Sequence, residues 1–277
     1  MSDARTLPRF DHPPVNEVIF SLQFEQLRGL TPVHLGLWWD RAERRSKYPL
    51  CEQQPRLVPA VEEFDALPGS FSIEFGTQPP APAFWFLTSD RSELLQIQDD
   101  RFTRNWTRSP AGAEWTYPSY NELRPKFARD LDDFDEFLKR EGLGTLEPRQ
   151  SELTYINPIT PADGVWQRHG QLDAVFSNWT NEYSSDFLPE PERVRFEAAY
   201  VIEADGAPVG RLYMTLNPVY TETMEPMLLL QATARGMPLA VGVEGALGFL
   251  DLAHDWIVEG FTSLTTVPMH ERWGRTR

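Results

Sequence analysis

Two short stretches carry the side chains closest to chemistry: RFTRNWTR, residues 101–108, and LDLAHDW, residues 250–256. If the first is a strand, side-chain alternation puts Phe102, Arg104, Trp106 and Arg108 on one face and Thr103, Asn105 and Thr107 on the other. Aromatics interleaved with arginines could stack nucleobases. They could equally be the half-buried side of a sheet whose arginines meet carboxylates. If the second is a helix, Asp251, His254 and Asp255 share one turn, and His254 could act as a base or metal ligand oriented by Asp251. Little else supports that use. The chain has five histidines in no ligand spacing, HERWG lacks the second histidine of a zinc-protease helix, and no GxSxG occurs. The single cysteine, Cys51, sits in a proline-bounded loop and rules out an internal disulfide or a cysteine-based zinc cluster. A hydrogen-bonded structural role for His254 is the favoured reading, and neither a metal nor a cofactor is expected.

The register of the surrounding hairpin separates the two readings of Arg104. A tight turn at Asp99-Asp100 pairs Gln98 with Arg101, Ile97 with Phe102, Leu95 with Arg104 and Glu93 with Trp106, and opposed residues share a face. Leu95, Ile97, Phe102 and Trp106 then lie together, with Glu93 beside Arg104 and Arg108. That face meets a helix. Gln96, Gln98, Thr103 and Asn105 form a polar strip on the other face, either solvated or the floor of a polar groove. The aromatics fall on the covered side, so the structural reading is favoured over a nucleotide platform, with Arg104 and Trp106 as supports behind the strip.

These residues are positioned by a regular series of elements. NEVIFSLQFE (16–25) alternates as a strand with one apolar face. Thr31 and Pro32 start a helix that Pro49 closes. Residues 50–82 read as irregular, with a short strand near Phe71 to Phe75, and a three-stranded meander follows to residue 108. Ser119 and Glu122 open a long helix with the apolar stripe Leu123, Phe127, Leu131, Phe134 and Leu138. Pro125 suggests that its regular part begins late, and Gly142 ends it. The acidic run Asp130, Asp132, Asp133, Asp135 and Glu136 reads as its solvated face. SELTYINPI (151–159) is a strand, QLDAVFSNWTNEY holds one short helix, and a hairpin turns at Asp205-Gly206. MLLLQATAR is a further strand. The last helix buries Leu247, Leu250, Ala253 or His254, Ile257 and Phe261. Gly242, Gly245 and Gly248 at its start, with Arg235 upstream, suit either an anion or close packing on the sheet, and close packing is favoured.

The order strand, helix, meander, long helix occurs twice in outline. The expected fold is therefore α+β, with two similar halves (1–150 and 151–277), each an antiparallel sheet covered by a long amphipathic helix. The halves would pack as one globular, saddle-like unit.

Composition narrows the partners. The formal net charge is −15, which opposes the counterion release on which duplex binding depends, so direct nucleic-acid binding is not expected. No stretch approaches the roughly 20 apolar residues of a membrane span, and the N-terminus lacks a signal-peptide core, so a cytoplasmic protein without membrane contact is expected. Nine tryptophans, including Trp38, Trp39, Trp85, Trp115, Trp166 and Trp179, exceed what most cores need. Some would line a cleft or an oligomer interface.

PPVNEVIFSLQFE, LTPVHLGLWWDRAERRSKYP, ELLQIQDDRFTRNWTR and SELTYINPI, in this order, resemble a sporadically distributed, uncharacterised prokaryotic protein family of about 250 residues whose members share a Q-x-Q-x-D-R-F-x-x-N-W hairpin. The resemblance spans most of residues 10–160 and returns at LDLAHDWIVEGF. It implies a prokaryotic cytoplasmic protein with patchy inheritance, compatible with defence or mobile elements, and transfers no catalytic residue. The first functional expectation is a binding or interaction protein that presents a sheet surface or a cleft to a protein partner or small ligand. Its nominated surface comprises Gln96, Gln98, Thr103, Asn105, Arg104, Trp106, Arg108 and His254, with Arg104 and Trp106 as structural supports behind the polar strip. The alternatives are an enzyme or small-molecule sensor using His254, Asp251 and Arg104 or Arg108, and an acidic mimic of nucleic acid.

Overall fold

A computed structural model describes residues 6–64, 82–108, 117–161 and 164–277. The strand foreseen near Phe71 to Phe75 and the side chain of Trp115 lie outside the described residues.

Among the described residues nine strands form one antiparallel sheet. In chain order they are β1 (Glu17–Phe24), β2 (Leu50–Gln54), β3 (Ala83–Leu87), β4 (Glu93–Gln98), β5 (Arg101–Thr107), β6 (Pro148–Ile159), β7 (Phe196–Ala204), β8 (Ala207–Tyr220) and β9 (Pro226–Gly236). Their spatial order is β2-β3-β4-β5-β1-β6-β9-β8-β7. The helices are α1 (Pro32–Trp39), α2 (Ala42–Lys47), α3 (Tyr120–Arg140), α4 (Val243–Leu264) and α5 (Val267–Arg272), with a short 3-10 turn at Leu172–Ala174. Among the described residues no helix is long and apolar enough to cross a membrane.

This corrects the expectation of two halves, each a sheet under its own helix. The strand that opens each series pairs with the other: Val18 faces Tyr155, Phe20 faces Leu153 and Leu22 faces Ser151. On its other edge β1 pairs with β5 over the same residues. The ladder therefore runs unbroken past residue 150. The helices above it also form one layer, because Arg124 of α3 binds Asp251 of α4 through Nε (3.1 Å) and a terminal nitrogen (3.0 Å).

The β4–β5 register is the one read from the sequence, including Gln98 with Arg101 and Glu93 with Trp106. Alternation carries one apolar face across the sheet through Phe86, Leu95 and Ile97, Phe102, Phe20 and Leu22, Leu153, Ala232 and Ala234, and Leu212 and Met214. Onto it α3 sets Phe127, whose ring lies 5.4 Å from Phe20 and 6.3 Å from Phe102. Phe134 lies 5.3 Å from Phe102 and 5.6 Å from Trp38. Farther along, α4 drives Phe249 against the sheet where Gly210 and Gly236 face each other. A Cβ on Gly236 would stand 2.3 Å from that ring, so neither glycine can carry a side chain without moving it.

Four local readings change. The first helix is broken at Asp40-Arg41, which lets Arg44 of α2 fold back over the Trp38 ring at 3.6 Å and donate to the Trp38 carbonyl. Leu50–Gln54 is a strand, pairing with β3, where an irregular segment was expected. Pro125 lies inside α3, whose helix already begins at Tyr120. At Gly245 the close approach is to the turn before α4, since a Cβ there would meet the Ala240 carbonyl oxygen at 1.9 Å.

The acidic run on α3 is also more than a solvated face. Asp130 accepts from the buried Arg104 guanidinium, and Asp133 takes Arg41, Arg44 and the Trp38 indole. Asp135 accepts from the Leu146 backbone N–H and the Thr145 hydroxyl, both at 2.7 Å. Alternation alone could not show that Asp130 turns toward Arg104 on β5 and Asp133 toward Arg41, before α2, and Arg44 on α2.

Candidate functional site

The nominated residues fall into three places. Gln96, Gln98, Thr103 and Asn105 share the polar face, as their register requires. Trp85 donates its indole N–H to Gln96 at 2.8 Å, Thr103 shares a hydrogen bond with Ser21 at 3.0 Å, and the Asn105 amide donates to Glu17. Most of this strip is buried and not solvated: Gln98 is 0% and Thr103 7% exposed. Residues 55–64 cross above part of it. Gln98 donates to the Leu57 carbonyl (2.9 Å) and accepts from the Leu57 N–H (3.1 Å), while Gln23 on β1 holds Ala60 in the same way at 2.8 and 2.9 Å.

Arg104 and Trp106 lie on the covered face. Arg104 donates to Glu93 at 2.6 Å, to the Tyr48 hydroxyl at 3.3 Å and to Asp130. Burial alone would lower its pKa, but Asp130, Tyr48 and Glu93 outweigh that and raise it. Lys47 also reaches Glu93, at 2.7 Å. This is a closed ion network under a helix, and Arg104 is not brought to His254.

Arg108 and His254 do come together, in a cleft of about 1130 Å³ at one end of the helical layer. Its walls come from the N-terminal arm, the end of β5, the starts of α3 and of the loop after β6, the middle of α4, and the C-terminal residues. The two chain ends are knitted together there. Asp11 N–H donates to the Gly274 carbonyl and His12 N–H to the Trp273 carbonyl, both at 3.0 Å, and Thr276 N–H donates to Arg9 at 2.9 Å. Phe10 anchors the arm edge-on against Phe261, with ring centres 5.7 Å apart.

His254 forms one side of the cleft. Its ring stacks on Tyr120 at 4.1 Å and 5°, and Nδ1 lies 3.0 Å from the Tyr155 hydroxyl. Burial pushes the Tyr117 phenol up to about 12 and Tyr155 well above the ordinary value, so both stay protonated hydrogen-bonding groups. Burial lowers the His254 pKa to about 4, and the nearby Asp251 carboxylate only partly offsets this. Asp251 does not orient the imidazole. It accepts from the Tyr120 hydroxyl at 2.7 Å and from Arg124. The alternative in which Asp251 orients His254 is not what forms: the ring is held by stacking on Tyr120 and by the Tyr155 hydroxyl, as a hydrogen-bonded structural histidine.

The depressed His254 pKa gives a signed pH dependence. Between the folded value near 4 and the ordinary 6.5, the unfolded chain binds a proton that the folded chain excludes. The stabilisation from neutral His254 is complete above the unfolded value and is lost as pH falls toward the folded one. Over that window the loss is about 3 kcal/mol. Urea denaturation at pH 7.5 and 4.5 checks this: wild type should lose about 3 kcal/mol more than His254→Phe. Equal losses would contradict the assignment.

Tyr117, Tyr155, Arg9 and Arg272 escaped sequence reading. The tyrosines belong to a loop and to a strand read only for its apolar alternation. The arginines lie in the terminal segments, which no periodicity marks. No protein-family model, curated protein or solved structure matches the chain.

Proposed function

We propose that the chain is a cytoplasmic ligand-binding protein whose cleft receives a small organic anion with an apolar or aromatic body. The observation that carries this reading is the charge of the cleft against the charge of the whole. In a chain of formal net charge −15, Arg9, Arg108, Arg272 and Arg277 line one cavity, and among the described residues its single acidic lining side chain is Asp11. Arginine forks suit carboxylate or phosphate oxygens, and a cleft with low-dielectric walls concentrates their field. Ile257, Phe261 and Trp273 supply apolar wall, and Tyr155 with neutral His254 supplies hydrogen bonds that cost no charge burial.

Binding is favoured over catalysis by the state of His254. A general base works best with a pKa near the operating pH. His254 is held near 4, its Nδ1 is engaged by Tyr155, and the nearby carboxylate is committed to Tyr120 and Arg124.

Thermal denaturation in the presence of carboxylates, phosphate esters and nucleotides tests the reading. A cleft ligand at about 100 times its Kd should add about 2.7 kcal/mol, or roughly 5–10 °C in a chain of this size. Arg9→Glu with Arg272→Glu should weaken that response at least about ten-fold in ligand concentration. If no anion class shifts the midpoint, or if the shift ignores both charge reversals, the cleft is not an anion site.

A further inference from the structure

The segment crossing the polar face is held by its main chain, and the holding groups are evenly arranged. Gln98 on β4, Arg101 on β5, Gln23 on β1 and Gln150 on β6 are direct cross-strand partners, so they form one row transverse to the strands. Their contacts step along the crossing chain in order. Gln98 takes Leu57 through both main-chain groups, and Arg101 donates to the Val58 carbonyl at 3.2 Å. Gln23 takes both groups of Ala60, and the Gln150 side-chain oxygen faces the Glu62 N–H at 3.4 Å. Neighbouring strands are about 4.8 Å apart and an extended chain rises about 3.3 Å per residue, so a perpendicular extended segment meets a new strand roughly every 1.5 residues. Contacts at 57, 58, 60 and 62 follow that step.

The ends of the segment are fixed by charge. Arg56 pairs with Asp99 and Asp100 in the β4–β5 turn. Glu62 is buried between Arg211 (2.6 Å), Arg235 (3.4 Å) and the Tyr213 hydroxyl (2.8 Å). Between them the face ignores side-chain identity: Leu57, Val58 and Val61 are 44%, 83% and 58% exposed.

We propose that this polar face is a peptide-binding surface. It takes an extended segment by its main chain, with a basic residue at one end and a carboxylate six positions further on, and residues 56–62 of the same chain are its resident occupant. A partner segment of that chemistry can form every contact the resident forms, since a side-chain amide that satisfies both groups of one residue reads backbone and not sequence. The acceptor carboxylates at one end and the arginines at the other fix its direction. The resident competes at an effective concentration in the millimolar range, so a partner gains access when the resident's charged anchors are weakened.

The experiment is a fluorescence-anisotropy titration of a labelled peptide of residues 55–64, PRLVPAVEEF. It is added to the wild-type full chain and to the full chain carrying Arg56→Ala and Glu62→Ala. Saturable binding to the double variant, at least about ten-fold tighter than to wild type, is expected. That binding should fall at least about ten-fold when Gln98→Ala is added to the chain, or when the peptide's residue equivalent to Glu62 is alanine. If the double variant does not fold, Arg56→Ala alone is titrated and should bind at least about three-fold tighter than wild type. Absence of saturable binding up to about 1 mM peptide by a folded variant would overturn the proposal. So would binding indifferent to Gln98 and to the peptide carboxylate.

Discussion

Replacing Arg104 by methionine is expected to cost about 3–5 kcal/mol of folding stability, measured by chemical denaturation near neutral pH. Arg104 is 1% exposed, and its guanidinium bonds Glu93 and Asp130 beneath α3. Methionine roughly keeps the volume but leaves both carboxylates without their shared cation. Lys47 and Lys126, at 2.7 and 3.8 Å from Glu93, compensate one of the two and keep the loss from growing further. A second arm separates charge from packing. With Glu93→Leu and Asp130→Leu added, most of the lost stability should return, because an apolar cluster of similar volume avoids the cost of burying unpaired charge. If Arg104→Met alone were neutral, the network would be a surface feature, contrary to its burial. A ligand-contact role for Arg104 would show instead as lost binding with unchanged stability.

Trp106→Ala is expected to cost a comparable amount, about 3–5 kcal/mol. Trp106 is 8% exposed on the covered face of β5, opposite Val18 on β1 and Glu93 on β4. Its ring stands 5.8 Å from that of Tyr117, which lines the cleft. Truncation should therefore do two things: lower the denaturation midpoint and loosen the wall of the cleft. The second effect is read from ligand affinity at a temperature where the variant is folded. Trp106→Phe fills more of the space and should recover part of both. An alanine variant as stable as wild type would place the ring on an open face and revive a stacking platform there.

Much of this arrangement was legible because it follows from period. Strand alternation fixes which residues of β4 and β5 share a face, so the split between Trp106 and the strip of Gln96, Gln98, Thr103 and Asn105 followed from counting. The Asp205-Gly206 turn, with φ of 51° and 78°, is one that few residue pairs accept, and it marked its hairpin plainly. What period cannot carry is contact between distant segments. That β1 pairs with β6, so that two similar-looking series merge into one sheet, depends on which edges remain free after the local hairpins form. The turn of Asp130 and Asp133 toward arginines, the passage of residues 55–64 over the polar face, and the meeting of both chain ends around His254 are of the same kind. Each joins segments dozens of residues apart or more, and none leaves a mark in local spacing. Arg108 and His254 were nominated for separate reasons, and only the fold shows that they share a cavity.

The cleft reading rests on a cationic cavity in an acidic chain, and one measurement addresses it most directly. Protein purified gently from its native host would be denatured, and the released small molecules identified by mass spectrometry and titrated back into stripped protein by calorimetry. The expected result is a carboxylate- or phosphate-bearing metabolite that rebinds to one site per chain and whose affinity falls at least about ten-fold in Arg9→Glu with Arg272→Glu. A neutral or cationic ligand, or an anion whose affinity is untouched by those reversals, would contradict it.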